Sequence, residues 1–191
     1  MNNFQIDAIL SSNPFTRKYY IGTFNIKTLP ISVPHKVCLI VVNTEENVKV
    51  IGHWVAFYIN NNKIIFFDSF AMLPHTTYGG NISKLFHSFS HRNVALTSRV
   101  QSLTSLVCGM HVIYFLHSIS RKKTLIQITK NYSFSNRTKN DNFVTRYVFN
   151  LAGQRMMCSD FLCPKRDLNR KCERICTCKH FSKNNECNYT Y

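Results

Sequence analysis

The segment from Cys108 to Ser118 is apolar on nearly all sides, and this feature constrains the fold most strongly. A helix that is hydrophobic all round is buried inside a larger structure instead of lying on its surface. We therefore predict a central buried helix that begins at Cys108. The rest of the chain has to supply the elements that cover it.

Stretches upstream of this helix predict the strands of a sheet. Residues 37–42 form a continuous apolar run dominated by β-branched side chains, which is typical of a buried strand. Residues 51–59 and 63–70 predict two more strands, and residues 19–24 predict an extended stretch. The linker Asn60 to Asn62 predicts a tight turn, because Asn tolerates left-handed backbone angles.

Further segments predict helices around the sheet. Residues 6–10 fit one face of a short N-terminal helix, and residues 143–156 show helical apolar spacing. Residues 82–89 predict a helix or an irregular connection, and residues 94–103 predict strand and loop. The expected fold class is α/β (α+β), with a mixed central sheet and flanking helices.

Composition divides the chain into two parts. Residues 1–157 predict one domain of ordinary globular composition, and residues 158–191 form a basic segment rich in Cys and poor in aliphatics. The net charge of +15 indicates a polyanionic partner such as DNA, although a merely basic surface is the alternative. The N-terminus lacks the pattern of a secretory signal, and no apolar stretch approaches about 20 residues, so no membrane partner is expected.

The predicted hairpin brings two polar side chains together. A turn centred on Asn60 to Asn62 places His53 opposite Asp68 or one diagonal step away. Opposed Cβ atoms lie about 4.5–5.5 Å apart and diagonal ones about 7–8 Å. Both side chains then face the same side of the sheet. The hairpin alone therefore predicts a His–Asp pair.

Together with Cys108, this pair suggests a thiol nucleophile. A thiolate forms more readily at a helix N-terminus and beside a protonated imidazole, here that of His53. Asp68 would orient the ring, while the Cys108 N–H and the Gln101 side-chain amide would stabilise an oxyanion. Gly109 would leave room beside the nucleophile for a substrate carbonyl. The alternatives are a packed core thiol at Cys108, an ordinary strand histidine and a turn-capping aspartate.

Several short motifs resemble those of adenovirus endopeptidases. Residues 52–57 (GHWVAF) resemble the segment around their catalytic histidine, and residues 66–70 (FFDSF) the segment with their acidic residue. Gln101 with residues 105–109 (SLVCG) is similar to their oxyanion glutamine and nucleophile. Residues 20–24 resemble a short N-terminal element.

This resemblance implies the mixed α/β fold of the adenain and ubiquitin-like-protein protease type. It implies a monomeric cysteine endopeptidase that cleaves viral precursor proteins at small-residue and glycine-containing sites in the virion and host nucleus. The chemistry would need no cofactor, but DNA and a short viral peptide would activate the enzyme. Cys108 would be the nucleophile, His53 the general base and acid, Asp68 the orienting residue and Gln101 the oxyanion donor.

Two departures from the family pattern indicate a divergent relative, from an adenovirus-like virus or a virus-derived element. The acidic residue is Asp68, where adenovirus enzymes typically carry Glu. Residues 88–100, where the cysteine that binds the activating peptide would lie, contain no cysteine. Two other functions stay open: an inactive DNA-binding virion protein on the same scaffold, and a deSUMOylating or deubiquitinating protease.

The C-terminal segment carries two further sets of candidate residues. Zinc takes four thiolate or imidazole ligands, and the spacing here is not that of a standard zinc finger. The alternatives are disulfides of unassigned connectivity, in an exported or virion-trapped protein, and a loosely ordered, reduced tail. The metal-ligand candidates are Cys172, Cys176, Cys178, His180 and Cys187. The cations suited to phosphate contacts are Lys165, Arg166, Arg170, Lys171, Arg174 and Lys179.

Overall fold

The computed structural model describes residues 1–33, 36–46, 52–61, 63–89 and 93–158, with side chains as far as Gly153. Within these residues the protein has a mixed α/β fold, in which helices flank a five-stranded mixed sheet. The strands are β1 (Tyr20–Asn25), β2 (Cys38–Asn43), β3 (Trp54–Asn60), β4 (Lys63–Phe67) and β5 (Asn93–Ala95). The helices are α1 (Asn3–Ser12), α2 (Gly80–His87), α3 (Cys108–Ser120), α4 (Leu125–Thr129) and α5 (Arg137–Cys158), and a π-helical turn spans Pro74–Tyr78.

The strands lie in the order of the chain, β1-β2-β3-β4-β5. The inner pairs β2–β3 and β3–β4 are antiparallel, whereas the outer pairs β1–β2 and β4–β5 are parallel. The β3–β4 turn has a left-handed residue at Asn61, with φ of 51°, as its sequence predicts. In its register Ala56 lies opposite Phe67, which sets the position of the residues just beyond both strand ends.

The sheet is covered on both faces, so its strands are apolar on both sides. One face, with Leu39 and Val41 of β2, packs against α3 in the larger core. The other face, with Ile40 and Val42, packs against α2. Helix α3 is buried along almost its whole length between the sheet, α1 and α5, which confirms the predicted central helix.

Several boundaries differ from the prediction. β3 begins at Trp54 and β4 ends at Phe67, so both strands are shorter than expected and His53 and Asp68 lie just outside them. The β4 strand ends because the Asp68 side chain accepts a hydrogen bond from the Phe70 N–H at 2.8 Å. Such a local bond replaces the ladder with a turn. Residues 82–89 belong largely to a helix, α2, and are not an irregular connection.

Helix α5 begins six residues before the predicted residue 143 and passes the predicted domain boundary at residue 157. Asn136 precedes it and accepts a hydrogen bond from the Lys139 N–H at 3.0 Å, which is the pattern of an N-cap. Its helical geometry is interrupted at Gly153, with φ of 72°. Among the described residues, no helix combines the length and apolarity needed to cross a membrane.

Candidate active site

Cys108 is the first residue of α3, where helix N–H groups lack intrahelical acceptors. The backbone bonds of α3 start with Met110 and His111, whose N–H groups both donate to the Val107 carbonyl, at 2.9 and 3.2 Å. No acceptor among the described residues takes the Cys108 N–H. The Cys108 side chain is 9% exposed and lines a cleft, so its thiol is screened from bulk water but accessible from that cleft.

His53 is held at the start of β3 by the neighbouring strand. Its backbone N–H donates to Thr44 Oγ1 at 3.2 Å, and the Thr44 N–H donates to the His53 carbonyl at 2.9 Å. A Cβ at the preceding Gly52 would lie 1.8 Å from Asn43 Oδ1, so a larger residue there would displace the Asn43 side chain. These contacts fix the backbone that carries the imidazole.

The imidazole of His53 forms the predicted pair with Asp68. His53 Nε2 lies 2.7 Å from Asp68 Oδ1, and Asp68 is fully buried. In the β3–β4 register Asp68 lies opposite Val55, so His53 is its diagonal neighbour, one of the two placements that the hairpin predicts. The Phe70 ring packs beside the imidazole, at 4.8 Å between ring centroids.

The thiol and the imidazole shift each other's pKa. Burial opposes the imidazolium, but hydrogen bonds to Asp68 and Cys108 and their charges outweigh it and raise the pKa of His53 to about 9. Burial likewise opposes the thiolate, but the hydrogen bond and charge of His53, with backbone N–H groups of Trp54 and Gly109, lower the pKa of Cys108. Together these shifts favour a thiolate–imidazolium pair.

Asp68 accepts a further side-chain hydrogen bond that the sequence analysis did not predict. Tyr78, at the end of the π-helical turn, donates its phenolic hydrogen to Asp68 Oδ2 at 2.5 Å. Burial first, then the charge of Asp68, raise the pKa of Tyr78, so the phenol remains a donor. Asp68 thus accepts bonds from His53, the Phe70 N–H and Tyr78. No local pattern around Tyr78 signals this contact, because it depends on how the chain turns after β4.

The side-chain amide of Gln101 is buried and bonded at both ends. Its Oε1 accepts from Ser69 Oγ at 2.6 Å, and its Nε2 donates to the Ser105 carbonyl at 2.8 Å. The backbone N–H groups of Val100 and Gln101 both donate to the Ser69 carbonyl, at 2.9 and 3.1 Å. An amide nitrogen has two hydrogens, so one remains after the bond to Ser105. Gln101 also lines the same cleft as Cys108 and His53.

This cleft has a volume of about 860 Å³ and contains three of the four predicted catalytic residues, His53, Gln101 and Cys108, while Asp68 lies behind His53. One wall has the exposed side chains of Leu103 and Leu106. The remaining lining residues are Met1, Asn2, Asn3, Thr23, Phe24, Asn25, Thr28, Asn43, Glu45, Gly52, Trp54, Phe70 and Ser105.

Gly109 has a packing role that the sequence analysis did not predict. A Cβ at this position would lie 3.3 Å from Met1 Cβ and 3.4 Å from Trp54 Cδ1. The space on the Cβ side of Gly109 is therefore occupied by the N-terminal segment and the indole. The glycine allows Met1 and Trp54 to pack closely against the first turn of α3. The Trp54 indole N–H also donates to the Met1 carbonyl at 3.2 Å.

The C-terminal candidates lie outside the described residues, from the cations beginning at Lys165 to the metal-ligand candidates ending at Cys187. In the part of the chain that the structure describes, no three His, Cys, Asp or Glu side chains form a group suited to a metal ion. No protein-family model matches the chain, and no curated protein matches it. The geometry of the site is therefore the main basis for a functional interpretation.

Proposed function

We propose that the protein is a cysteine endopeptidase of the adenain type, with Cys108 as its nucleophile. The observation that carries the proposal is the 2.7 Å hydrogen bond of His53 to the buried Asp68, at a cleft that His53, Cys108 and Gln101 all line. A thiol, a base within hydrogen-bonding reach and a third group that orients the base form the arrangement of covalent acyl transfer. The five-stranded sheet with flanking helices is consistent with this peptidase fold.

In the proposed reaction the Cys108 thiolate attacks the carbonyl carbon of the scissile peptide. The oxyanion that forms accepts hydrogen bonds from the Cys108 N–H and from Gln101 Nε2. His53 gives its proton to the leaving amine, and a thioester remains on Cys108. His53 then takes a proton from water, which hydrolyses the thioester and regenerates the thiolate, while Asp68 keeps the ring oriented.

For the substrate, we propose viral precursor proteins cleaved at small-residue or glycine-containing sites, as the motif resemblance implies.

The net charge of the protein supports DNA as an activating partner. Residues 1–158 contain 17 of the 24 Lys and Arg residues and 5 of the 9 acidic residues, a net charge of +12. Six of these cations and no acid lie between residues 121 and 139. A basic surface would hold enzyme and DNA-bound substrates on one polyanion.

The proposal is tested by cleavage of peptides that contain small-residue and glycine motifs, with and without duplex DNA. Native protein is compared with Cys108→Ala and with Cys38→Ala, which removes the buried thiol of β2 instead. We expect DNA-stimulated cleavage that Cys108→Ala abolishes, unchanged DNA binding in that variant, and retained cleavage in Cys38→Ala. Cleavage by Cys108→Ala at the native rate would contradict the proposed nucleophile.

An inactive DNA-binding virion protein is the second candidate, and the net charge of +12 on residues 1–158 favours its binding activity. The inactive protein would bind DNA with an affinity that falls steeply as salt rises, and native protein would show no cleavage, even with candidate activating peptides.

A deSUMOylating or deubiquitinating protease would use the same four residues. Ubiquitin-like substrates in the same assay separate that activity from precursor cleavage.

A further inference from the structure

Two neighbouring polar residues near the start of α5, Asn140 and Asp141, are buried although the N-terminal end of that helix is polar. Asn140 is 1% exposed and Asp141 6% exposed. Asn140 Nδ2 donates to the Val100 carbonyl at 2.8 Å, and Asp141 Oδ2 accepts from the Ser102 N–H at 3.2 Å. We call Asn140 and Asp141 the α5 clamp, because they hold the backbone immediately before and after Gln101.

Each clamp residue is itself held in place. Asn140 bonds the backbone of Ser133 at both ends of its amide: Oδ1 accepts from the Ser133 N–H at 2.6 Å, and Nδ2 donates to the Ser133 carbonyl at 2.8 Å. Asp141 Oδ1 lies 2.9 Å from Nε2 of the fully buried His111. The other ring nitrogen of His111 lies 3.1 Å from the Tyr132 hydroxyl.

The polar chain behind Asp141 has one consistent arrangement of hydrogens. Burial lowers the pKa of His111 and raises that of Tyr132, so the ring is neutral and the phenol keeps its proton. Tyr132 then donates to Nδ1 of His111, and Nε2–H of His111 donates to Asp141. The carboxylate therefore accepts from His111 and from Ser102, and its position is set by α3 and α5 together.

We infer that the α5 clamp is a positioning device for Gln101, which fixes the backbone on both sides of the residue that supplies the oxyanion donor. The inference rests on the proposed cysteine peptidase function. Ser69 holds the side-chain oxygen and the N–H of Gln101 from the sheet side, and the clamp holds its neighbours from the helix side. Oxyanion donors act only when they are already in place as charge develops, so loosening this backbone reduces catalysis without changing the nucleophile.

The test is a double-mutant cycle with Asp141→Ala and Gln101→Ala, measured as kcat and KM on a cleaved peptide. We expect Asp141→Ala to lower kcat by up to roughly 10²-fold with little change in KM, since misplacement of a catalytic group by about 1 Å can cost that much. In the Gln101→Ala background the same substitution should have almost no further effect, because the donor that it positions is already absent. Iodoacetamide should alkylate Cys108 at the native rate in Asp141→Ala.

Two controls separate positioning from general stability. Asp141→Asn keeps an oxygen acceptor for the Ser102 N–H. Its NH2 group can donate to Nε2 of His111 once the ring hydrogen moves to Nδ1 and is donated to the Tyr132 hydroxyl, so this variant should restore most of the lost kcat. Val144→Ala removes buried apolar contacts of the same helix without touching the clamp, so it should lower the unfolding midpoint but not kcat. If Asp141→Ala fails to fold, Asn140→Ala, which frees the Val100 carbonyl, takes its place in the cycle.

The outcomes are distinguishable. Equal losses from Asp141→Ala in both backgrounds, or native kcat in that variant, would overturn the clamp and leave the peptidase proposal standing. A proportional loss of Cys108 alkylation would also overturn it, because the effect would then reach the nucleophile instead of Gln101. A native protein without cleavage activity would overturn the proposed function and the clamp's catalytic role with it.

Discussion

Asp68 shows how much one carboxylate can organise in this protein. It is fully buried, and it accepts hydrogen bonds from an imidazole, a backbone N–H and a phenol. A buried charge is stable only when such partners replace its water. The same three donors prevent the carboxylate from rotating, so His53 meets one fixed oxygen.

Tyr78→Phe should therefore destabilise the fold and slow the reaction. The change keeps the ring beside Phe66 but removes the phenolic donor to Asp68. We expect the free energy of unfolding to fall by about 1.5–3 kcal/mol, the range for hydrogen bonds to charged groups. Urea unfolding measures this loss, and peptide cleavage should show a lower kcat. Tyr19→Phe, which removes the phenolic hydroxyl of a half-buried tyrosine with no hydrogen bond to Asp68, is the matched control. Equal stability losses in both variants would contradict the role of Tyr78.

The thiol and imidazole predict a pH window for activity. The pKa of Cys108 is lowered from its usual value and that of His53 is raised to about 9, so the charged pair exists between the two. Activity should rise as pH passes the Cys108 pKa and fall above about pH 9, where His53 loses the proton that the leaving amine needs. In His53→Ala, the midpoint of Cys108 alkylation by iodoacetamide should move to higher pH, because the charge that stabilises the thiolate is gone. An unchanged midpoint would show that His53 does not act on this thiol.

Among the helices and strands, the pattern of apolar residues along the sequence predicted the ones that bury apolar side chains. The central helix α3 and the strands β2, β3 and β4 follow from continuous apolar runs. Helix α5 was predicted only from residue 143 because its N-terminal end is buried through polar residues, Asn140 and Asp141, which carry no apolar signal. The Asn136 cap is a local signal that would have placed its start correctly.

The hairpin β3–β4 is the element through which sequence most directly determined part of the site. Its turn at Asn61 sets the register, and the register places His53 diagonal to Asp68. The strand ends were predicted too far out, because local bonds of Asp68 and His53 to neighbouring backbone and side-chain groups replace the ladder there. The pair is therefore held by turn geometry as well as by the sheet.

For the whole molecule, the distribution of charge predicts how DNA binding depends on the C-terminal segment. Removal of residues 159–191 deletes the six candidate cations that begin at Lys165 but leaves a net charge of +12. Plots of log affinity against log salt concentration have a negative slope, and each lost phosphate contact makes that slope shallower by about 0.9. We expect the truncated protein to bind duplex DNA with a slope shallower by up to about 5, measured by fluorescence anisotropy. An unchanged slope would show that the C-terminal cations do not contact DNA.

The sequence by itself determined the buried helix that begins at Cys108, the strands of the central sheet and the proximity of His53 to Asp68, because each follows from local periodicity or from one short turn. Only the tertiary structure brought Cys108 to His53, Tyr78 to Asp68, and Asn140 and Asp141 to the backbone around Gln101. Those contacts join parts of the chain that no local pattern relates. They depend on how α3 and α5 pack on the sheet, and buried polar groups find their hydrogen-bond partners only in that packing.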